Sequence, residues 1–237
     1  MVFITGDKHR EYTKVEEFCA EHNTNTGDVL IVLGDNGVNF FGGQKDRHVK
    51  AKLAAMPITF FMIRGNHDQR PSRKVCHESF YSTDQLAGVV LVEDEYPNIL
   101  YAIDGEIYNI MGANVLVIGG AYSIDKQYRL ELIAQGFTGH RWFPDEQLTK
   151  NERTAILETA RKSRPDIILS HTCPYGMAPW GEGHKLAEAS DVTMERWMDE
   201  VDAAAGRPKW YCGHWHQDKN CGFRPRFMYH DIIEFEV

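Results

Sequence analysis

The sequence predicts an α/β fold, two mixed β-sheets sandwiched between helices, with its chemistry at the carboxyl ends of strands. Three observations predict it. The opening part of the chain alternates short apolar runs with amphipathic ones. The middle holds four apolar runs close together, separated by Gly- or Pro-containing turns. Five short polar clusters each stand directly after an apolar run.

The elements follow in order. Val2-Phe3-Ile4-Thr5 reads as a strand that starts at once. Residues 12–22 carry Tyr12, Val15, Phe18 and Cys19 at helical spacing. Asn23-Thr24-Asn25-Thr26-Gly27 is a polar break. Val29-Leu30-Ile31-Val32-Leu33 is continuously apolar, the pattern of a strand buried on both faces. A second helix is expected near residues 44–55, stopped by Met56-Pro57, and residues 58–63 form a third buried strand. This β-α-β-α-β order argues for parallel strands joined by right-handed crossovers.

The runs at 89–92, 99–103, 107–110 and 115–118 are spaced for antiparallel pairing. A long helix is expected over residues 145–162, ahead of Pro165. Ile167-Ile168-Leu169-Ser170 is another buried strand. Met194, Trp197, Met198, Val201 and Ala205 share one helical face, with Ser190 or Asp191 as the N-cap. Trp210-Tyr211-Cys212 is a strand, and a β-rich tail ends in Ile232-Ile233-Glu234-Phe235. No repeat, low-complexity tract or linker interrupts the chain, so residues 1–237 read as a single domain.

Composition excludes several classes. The 237 residues are 43% hydrophobic and 25% charged, ordinary globular values that rule out a disordered or collagen-like chain. Lys and Arg number 26 against 34 Asp and Glu, a net charge of −8, so general nucleic-acid binding is not expected. No apolar run approaches the ~20 residues that span a bilayer, and no basic segment precedes a long apolar stretch at the N-terminus. No membrane partner is therefore expected. Cys19, Cys76, Cys173, Cys212 and Cys221 are odd in number, irregular in spacing and form no CxxC pair. Each reads as a small buried apolar residue in a reduced, cytoplasmic protein.

The polar clusters are Gly6-Asp7-Lys8-His9, Gly34-Asp35-Asn36, Gly65-Asn66-His67-Asp68, His171, and Gly213-His214-Trp215-His216. Loops beyond the carboxyl ends of parallel strands converge on one crevice, so chain order alone brings these clusters together. Asp, Asn and His are oxygen and nitrogen donors suited to Mn²⁺, Fe, Zn²⁺ or Co²⁺ rather than Ca²⁺. In an extended segment Asp7 and His9 point to one side, as do His214 and His216. The clusters contain no Cys, which argues against a structural zinc knot. A single Gly-Asp is usually a turn and a single His-x-His is more often surface than ligand; five clusters in this order are a different matter.

On these motifs the chain resembles the calcineurin-like metallophosphoesterase superfamily: D-x-H, G-D, G-N-H-D/E, a lone H, then G-H-x-H, from Asp7 to His216. The resemblance implies a four-layer αββα sandwich with a dinuclear metal centre at the strand ends. It implies one metal held by Asp7, His9, Asp35 and His216, and another by Asp35, Asn66, His171 and His214, with Asp35 bridging. His67 would be the catalytic imidazole and Asp68 its partner. Two divalent ions, Mn²⁺ first, would keep the centre positive even with a bridging hydroxide, and so draw a phosphoester substrate to an acidic protein.

The expected activity is phosphoester hydrolysis, with monoesters ahead of diesters. A protein Ser/Thr phosphatase-like substrate is one version, although Gly34-Asp35-Asn36-Gly37-Val38-Asn39 lacks the Asp-Arg found there. The alternatives are a phosphodiesterase or nuclease, and a non-catalytic metal-bearing scaffold. Arg10, Arg64 or Arg70 could replace the missing Arg; Arg10, Trp180 and His184 are the candidate substrate contacts. The segment at 172–189 follows His171 and is placed to overhang the site. Gly119-Gly120-Ala121-Tyr122-Ser123-Ile124-Asp125 looks like a segment of small bacterial and phage members. Its two glycines mark either a close backbone approach or a tight strand exit.

Overall fold

The computed structural model describes residues 1–180, 191–222 and 224–237. The chain begins β1 (Val2–Thr5), α1 (Thr13–His22), β2 (Val29–Leu33), α2 (Gln44–Ala54), β3 (Thr59–Ile63). It continues β4 (His77–Ser82), β5 (Leu86–Val92), β6 (Ile99–Ala102), β7 (Ile107–Ile110), β8 (Ala113–Ile118). Then come α3 (Lys126–Ala134), α4 (Lys150–Ser163), β9 (Ile167–Ser170), α5 (Thr193–Ala205) and β10 (Lys209–Cys212). Three short strands close it: β11 (Lys219–Asn220), β12 (Arg226–Phe227) and β13 (Ile233–Glu234).

The α/β class is as expected, and the described strands form one hydrogen-bonded, curled sheet in which the two expected sheets are continuous halves. Its order is β11-β12-β10-β9-β8-β7-β5-β6-β3-β2-β1-β13, with β4 against β5. The join is β5. It is long enough to pair antiparallel with β7 at one end (Leu86 opposite Ile110) and with β6 at the other (Val90 opposite Ala102). Gly88 sits between these two registers, where a Cβ would collide with the Tyr108 ring. The Tyr108 hydroxyl donates to Val89 O at 2.7 Å and accepts from Ile103 N at 2.8 Å, which pins the junction.

Further from the join, β1, β2 and β3 on one side and β8, β9 and β10 on the other pair parallel, as the sequence order requires. Phe3, Leu30 and Phe60 are in register across β1, β2 and β3. Leu116, Ile168 and Trp210 are in register across β8, β9 and β10. Alternate side chains of these strands divide between two cores, because successive residues point to opposite faces. Ile4, Ile31, Phe61, Val117, Leu169 and Tyr211 meet in one cluster shared by both halves of the sheet. Phe3, Leu30 and Phe60 turn the other way and pack with Val15 and Cys19 of α1 and Leu53 of α2. Leu116, Ile168 and Trp210 pack with Ile156 and Ala160 of α4 and with Met194, Met198 and Val201 of α5.

Several boundaries differ from the sequence reading. Helix α4 begins at Lys150, because Thr149 and Glu152 form a capping box that fixes the start there. The stretch before it is held away from helix: Asp145 O and Glu146 O accept from Arg64 Nη1. The N-cap of α5 is Val192, with Asp191 Oδ1 accepting from Thr193 N at 2.8 Å. Helix α3 has no buried residue and so lacks the apolar stripe that would announce it. Strand β4 is mostly exposed for the same reason. Cys19, Cys76, Cys173 and Cys212 are buried thiols as expected, but Cys221 is exposed. Among the described residues no helix is long and apolar enough to cross a membrane.

Candidate active site

Five loops meet at the carboxyl ends of β1, β2, β3, β9 and β10. Asp7 follows β1 and is buried. Its Oδ2 accepts from His214 N at 2.8 Å, while its Oδ1 is buried with no hydrogen-bond partner. Asp35 follows β2. Its Oδ1 accepts from His67 N at 2.8 Å, and its Oδ2 lies 3.7 Å from His9 Nε2 and 3.9 Å from His67 Nε2. His9 and His216 bring their Nε2 atoms to 3.1 Å, and the His216 ring stacks on Tyr229 with centroids 4.5 Å apart. The His214 ring meets that of His171 edge-on at 4.9 Å.

The backbone reaches this arrangement under strain. His9, Arg10, Asp35, His214 and His216 all have positive φ, between 44° and 76°. A non-Gly residue there costs about 1–3 kcal/mol, and such residues persist where the surroundings over-determine them. Here Lys8 N and His9 N both donate to Asp35 O, at 3.2 and 2.7 Å. Glycine is needed where the loops touch. A Cβ on Gly65 would collide with Asp35, and one on Gly34 with the His171 ring.

The donor set fits divalent cations. Asp7, His9 and His216 offer ligand atoms within 4.8 Å of one another, and so do Asp7, Asp35 and His171. Two nitrogens bound to one ion at ~2.1 Å sit about 3.0–3.4 Å apart, which matches the His9–His216 separation. Burial and the mutual repulsion of Asp7 and Asp35 push the Asp7 carboxyl well up, and burial raises Asp35. Burial holds His171 down to about 4, so at neutral pH it carries a single ring proton. That proton is on Nδ1, which donates to Leu33 O at 2.8 Å. Nε2 is therefore an acceptor, and it lies 2.8 Å from Asn66 Oδ1, another acceptor. Two lone pairs at that distance repel unless a cation lies between them.

Beside these donors is a cavity of about 120 Å³, lined by His9, Arg10, Asp35, Phe40, His67 and Arg129. A sequence profile of the calcineurin-like phosphoesterases matches residues 1–218. The chain belongs to the calcineurin-like phosphoesterase family. A search of curated proteins found no match. As a member of this family the protein is a metal-dependent hydrolase of phosphoester bonds, in a family whose members typically bind two divalent metals.

Within this phosphoesterase, Asp7, His9, Asp35, Asn66, His67, His171, His214 and His216 are brought together. Asp68 is not where the sequence reading put it. Its carboxylate accepts from Asn36 N, Asn36 Nδ2, Gly37 N and Gly65 N at 2.9–3.0 Å, with no bond from His67. Three backbone N–H groups and the Asn36 amide occupy the carboxylate, so Asp68 ties the second motif to the third. His67 Nε2 instead faces Asn66 Nδ2 at 3.3 Å and Arg129 Nη2 at 3.4 Å. Burial pushes the His67 imidazole down, against the opposing pull of Asp35.

Arg10 lines the cavity, but its guanidinium is committed to Gly37 O, Lys45 O and Asp46. Arg64 is likewise engaged, with Asp104 and Glu146 O. Trp180 is not among the residues lining this cavity. Its Nε1 donates to Tyr175 O, and its ring packs on Trp215 at 4.8 Å. His184 lies outside the described residues. The residue the sequence reading missed is Arg129 of α3. No motif or apolar stripe marks it, and only the fold carries it to His67.

Proposed function

We propose that this phosphoesterase is a phosphomonoesterase that works with two divalent ions, Mn²⁺ by preference. Asp7, His9, Asp35 and His216 would hold one ion, and Asp35, Asn66, His171 and His214 the other. Such a pair activates water and neutralises phosphoryl oxygens. The rest falls to the chain. Arg129 binds a non-bridging phosphoryl oxygen. His67 Nε2 faces two N–H donors and is an acceptor at rest, so it would take up the proton that the attacking water releases and pass it to the leaving oxygen as the ester bond breaks. Phe40 closes one wall of the small cavity against water.

The observation that carries this reading is the setting of Arg129. Its side chain is only 16% exposed, and Asp125 Oδ2 accepts from its Nε at 2.7 Å. Arg141 O accepts from Nη1 at 3.3 Å, which leaves Nη2 directed at His67. An anchored guanidinium beside an imidazole suits the terminal dianion of a monoester, which presents three unsubstituted oxygens. The five free thiols fit a reducing compartment, and we place the enzyme in the cytoplasm.

The test compares an aryl phosphate monoester with the matching diester, using Mn²⁺-loaded protein and a chelated blank. A higher kcat/KM for the monoester is expected. Preference for the diester would replace this reading with a phosphodiesterase or nuclease. Absence of metal-dependent turnover of either would favour a metal-bearing scaffold.

A further inference from the structure

The segment after β8 brings Ser123 against Asn66. Asn66 Nδ2 donates to Ser123 Oγ at 2.9 Å. Ser123 Oγ donates in turn to Glu146 Oε2 at 2.5 Å, and Ser123 N donates to Glu146 Oε1 at 3.2 Å. All three residues are buried. The frame around them is braced. Gly120 N donates to Arg64 O at 2.7 Å, and Arg64 Nη1 donates to Glu146 O at 2.9 Å. A Cβ on Gly120 would collide with Glu146 O, so the glycine is what lets the two segments close.

This chain of bonds has a direction. A hydroxyl has one proton, and here the carboxylate takes it. The Ser123 oxygen therefore meets Asn66 only as an acceptor. An acceptor selects the NH₂ end of the amide, which turns Oδ1 towards His171 Nε2. The distinction matters because an amide oxygen can donate electrons to a metal and an amide NH₂ cannot. With Ser123 absent, only the longer contact of Nδ2 to His67 Nε2, at 3.3 Å, opposes a half-turn of the amide. That would exchange the acceptor facing His171 for a donor, a better hydrogen bond and a lost ligand.

We propose that Ser123 and Glu146 are positioning residues that fix which end of Asn66 faces the metal region, and thereby set the affinity of one of the two ions. The inference rests on the reading of Asn66 as a ligand. Neither residue touches substrate or the reacting atoms. Outer partners of metal ligands typically contribute 10–100-fold to affinity when removed.

Isothermal titration calorimetry of chelator-treated full-length protein with Mn²⁺ tests this. Wild type is expected to show two binding events. Ser123→Ala is expected to weaken one of them by about 10–100-fold and leave the other unchanged. Ser123→Thr, which keeps the hydroxyl, is expected to restore the affinity. Urea unfolding of the metal-free variants is expected to match that of metal-free wild type. Wild-type affinities in Ser123→Ala would overturn the inference. So would equal weakening of both events together with a destabilised metal-free protein, which would mark a general structural role. Failure of Ser123→Thr to recover the affinity, with the metal-free fold intact, would also overturn it. If wild type itself takes up no second ion, the reading of Asn66 as a ligand fails instead.

Discussion

Arg129 Nη2 stands 3.4 Å from His67 Nε2, although the two residues come from α3 and the loop after β3. Neither is salt-bridged to the other, and Asp125 holds the guanidinium from behind. The pair places a fixed positive charge beside the imidazole that faces the cavity. Charge-assisted hydrogen bonds contribute ~1.5–3 kcal/mol. Arg129→Ala is therefore expected to raise KM for an aryl phosphate monoester by about 10–100-fold. Metal stoichiometry, measured by elemental analysis, should be unchanged. An unchanged KM would remove Arg129 from substrate binding.

His67 donates its backbone N–H to Asp35 and keeps its ring towards the cavity. His67→Ala retains that backbone bond. The variant is expected to keep both ions and to lose about 10²–10⁴-fold in kcat, the range of general acid catalysis. Normal turnover in a metal-replete variant would end the role assigned to the ring.

Asp68 gathers four donors from Asn36, Gly37 and Gly65. Removing its carboxylate leaves these groups buried and unpaired, at about 1–3 kcal/mol for a lost partner. Asp68→Ala is expected to lower the unfolding free energy by at least ~3 kcal/mol in urea titration. A neutral outcome would show that water takes over these donors.

Glu195 is buried on α5, where Thr172 Oγ1 donates to its Oε1 at 3.0 Å. Burial pushes its carboxyl up to about 7 from an ordinary 4.5. Between those values the folded protein holds a proton that the unfolded chain has released. The stabilising contribution is thus complete below about pH 4.5 and is lost as pH rises through about 7. Glu195→Gln carries no such proton. Relative to wild type, its unfolding free energy is expected to improve by about 3 kcal/mol between pH 4 and pH 8. Parallel pH profiles for the two proteins would refute the shift.

Much of the site was legible because its signals are local. The buried strands β1, β2, β3, β9 and β10 are unbroken apolar runs, and the metal donors stand directly after them in sequence. A parallel arrangement then puts those donors at one end of the sheet. The family resemblance pairs Asp68 with His67. Three of the four donors to Asp68, Asn36 N, Asn36 Nδ2 and Gly37 N, belong to the loop after β2, which only the fold brings to it. Arg10 reads in sequence as a stand-in for the Arg missing from the second motif, yet Asp46, 36 positions on, captures its guanidinium.

The sequence by itself determined the α/β class, the order of the strands and the identity of the donors, because hydrophobic period and motif spacing are properties of neighbouring residues. The tertiary structure alone decided that the two halves of the sheet are continuous through β5. It alone decided that α3 delivers Arg129 to His67 and that Glu146 and Ser123 orient Asn66. These relations span 62, 23 and 57 positions of chain. A hydrogen bond reaches about 3 Å, so which distant groups satisfy one another is settled only when packing brings them that close.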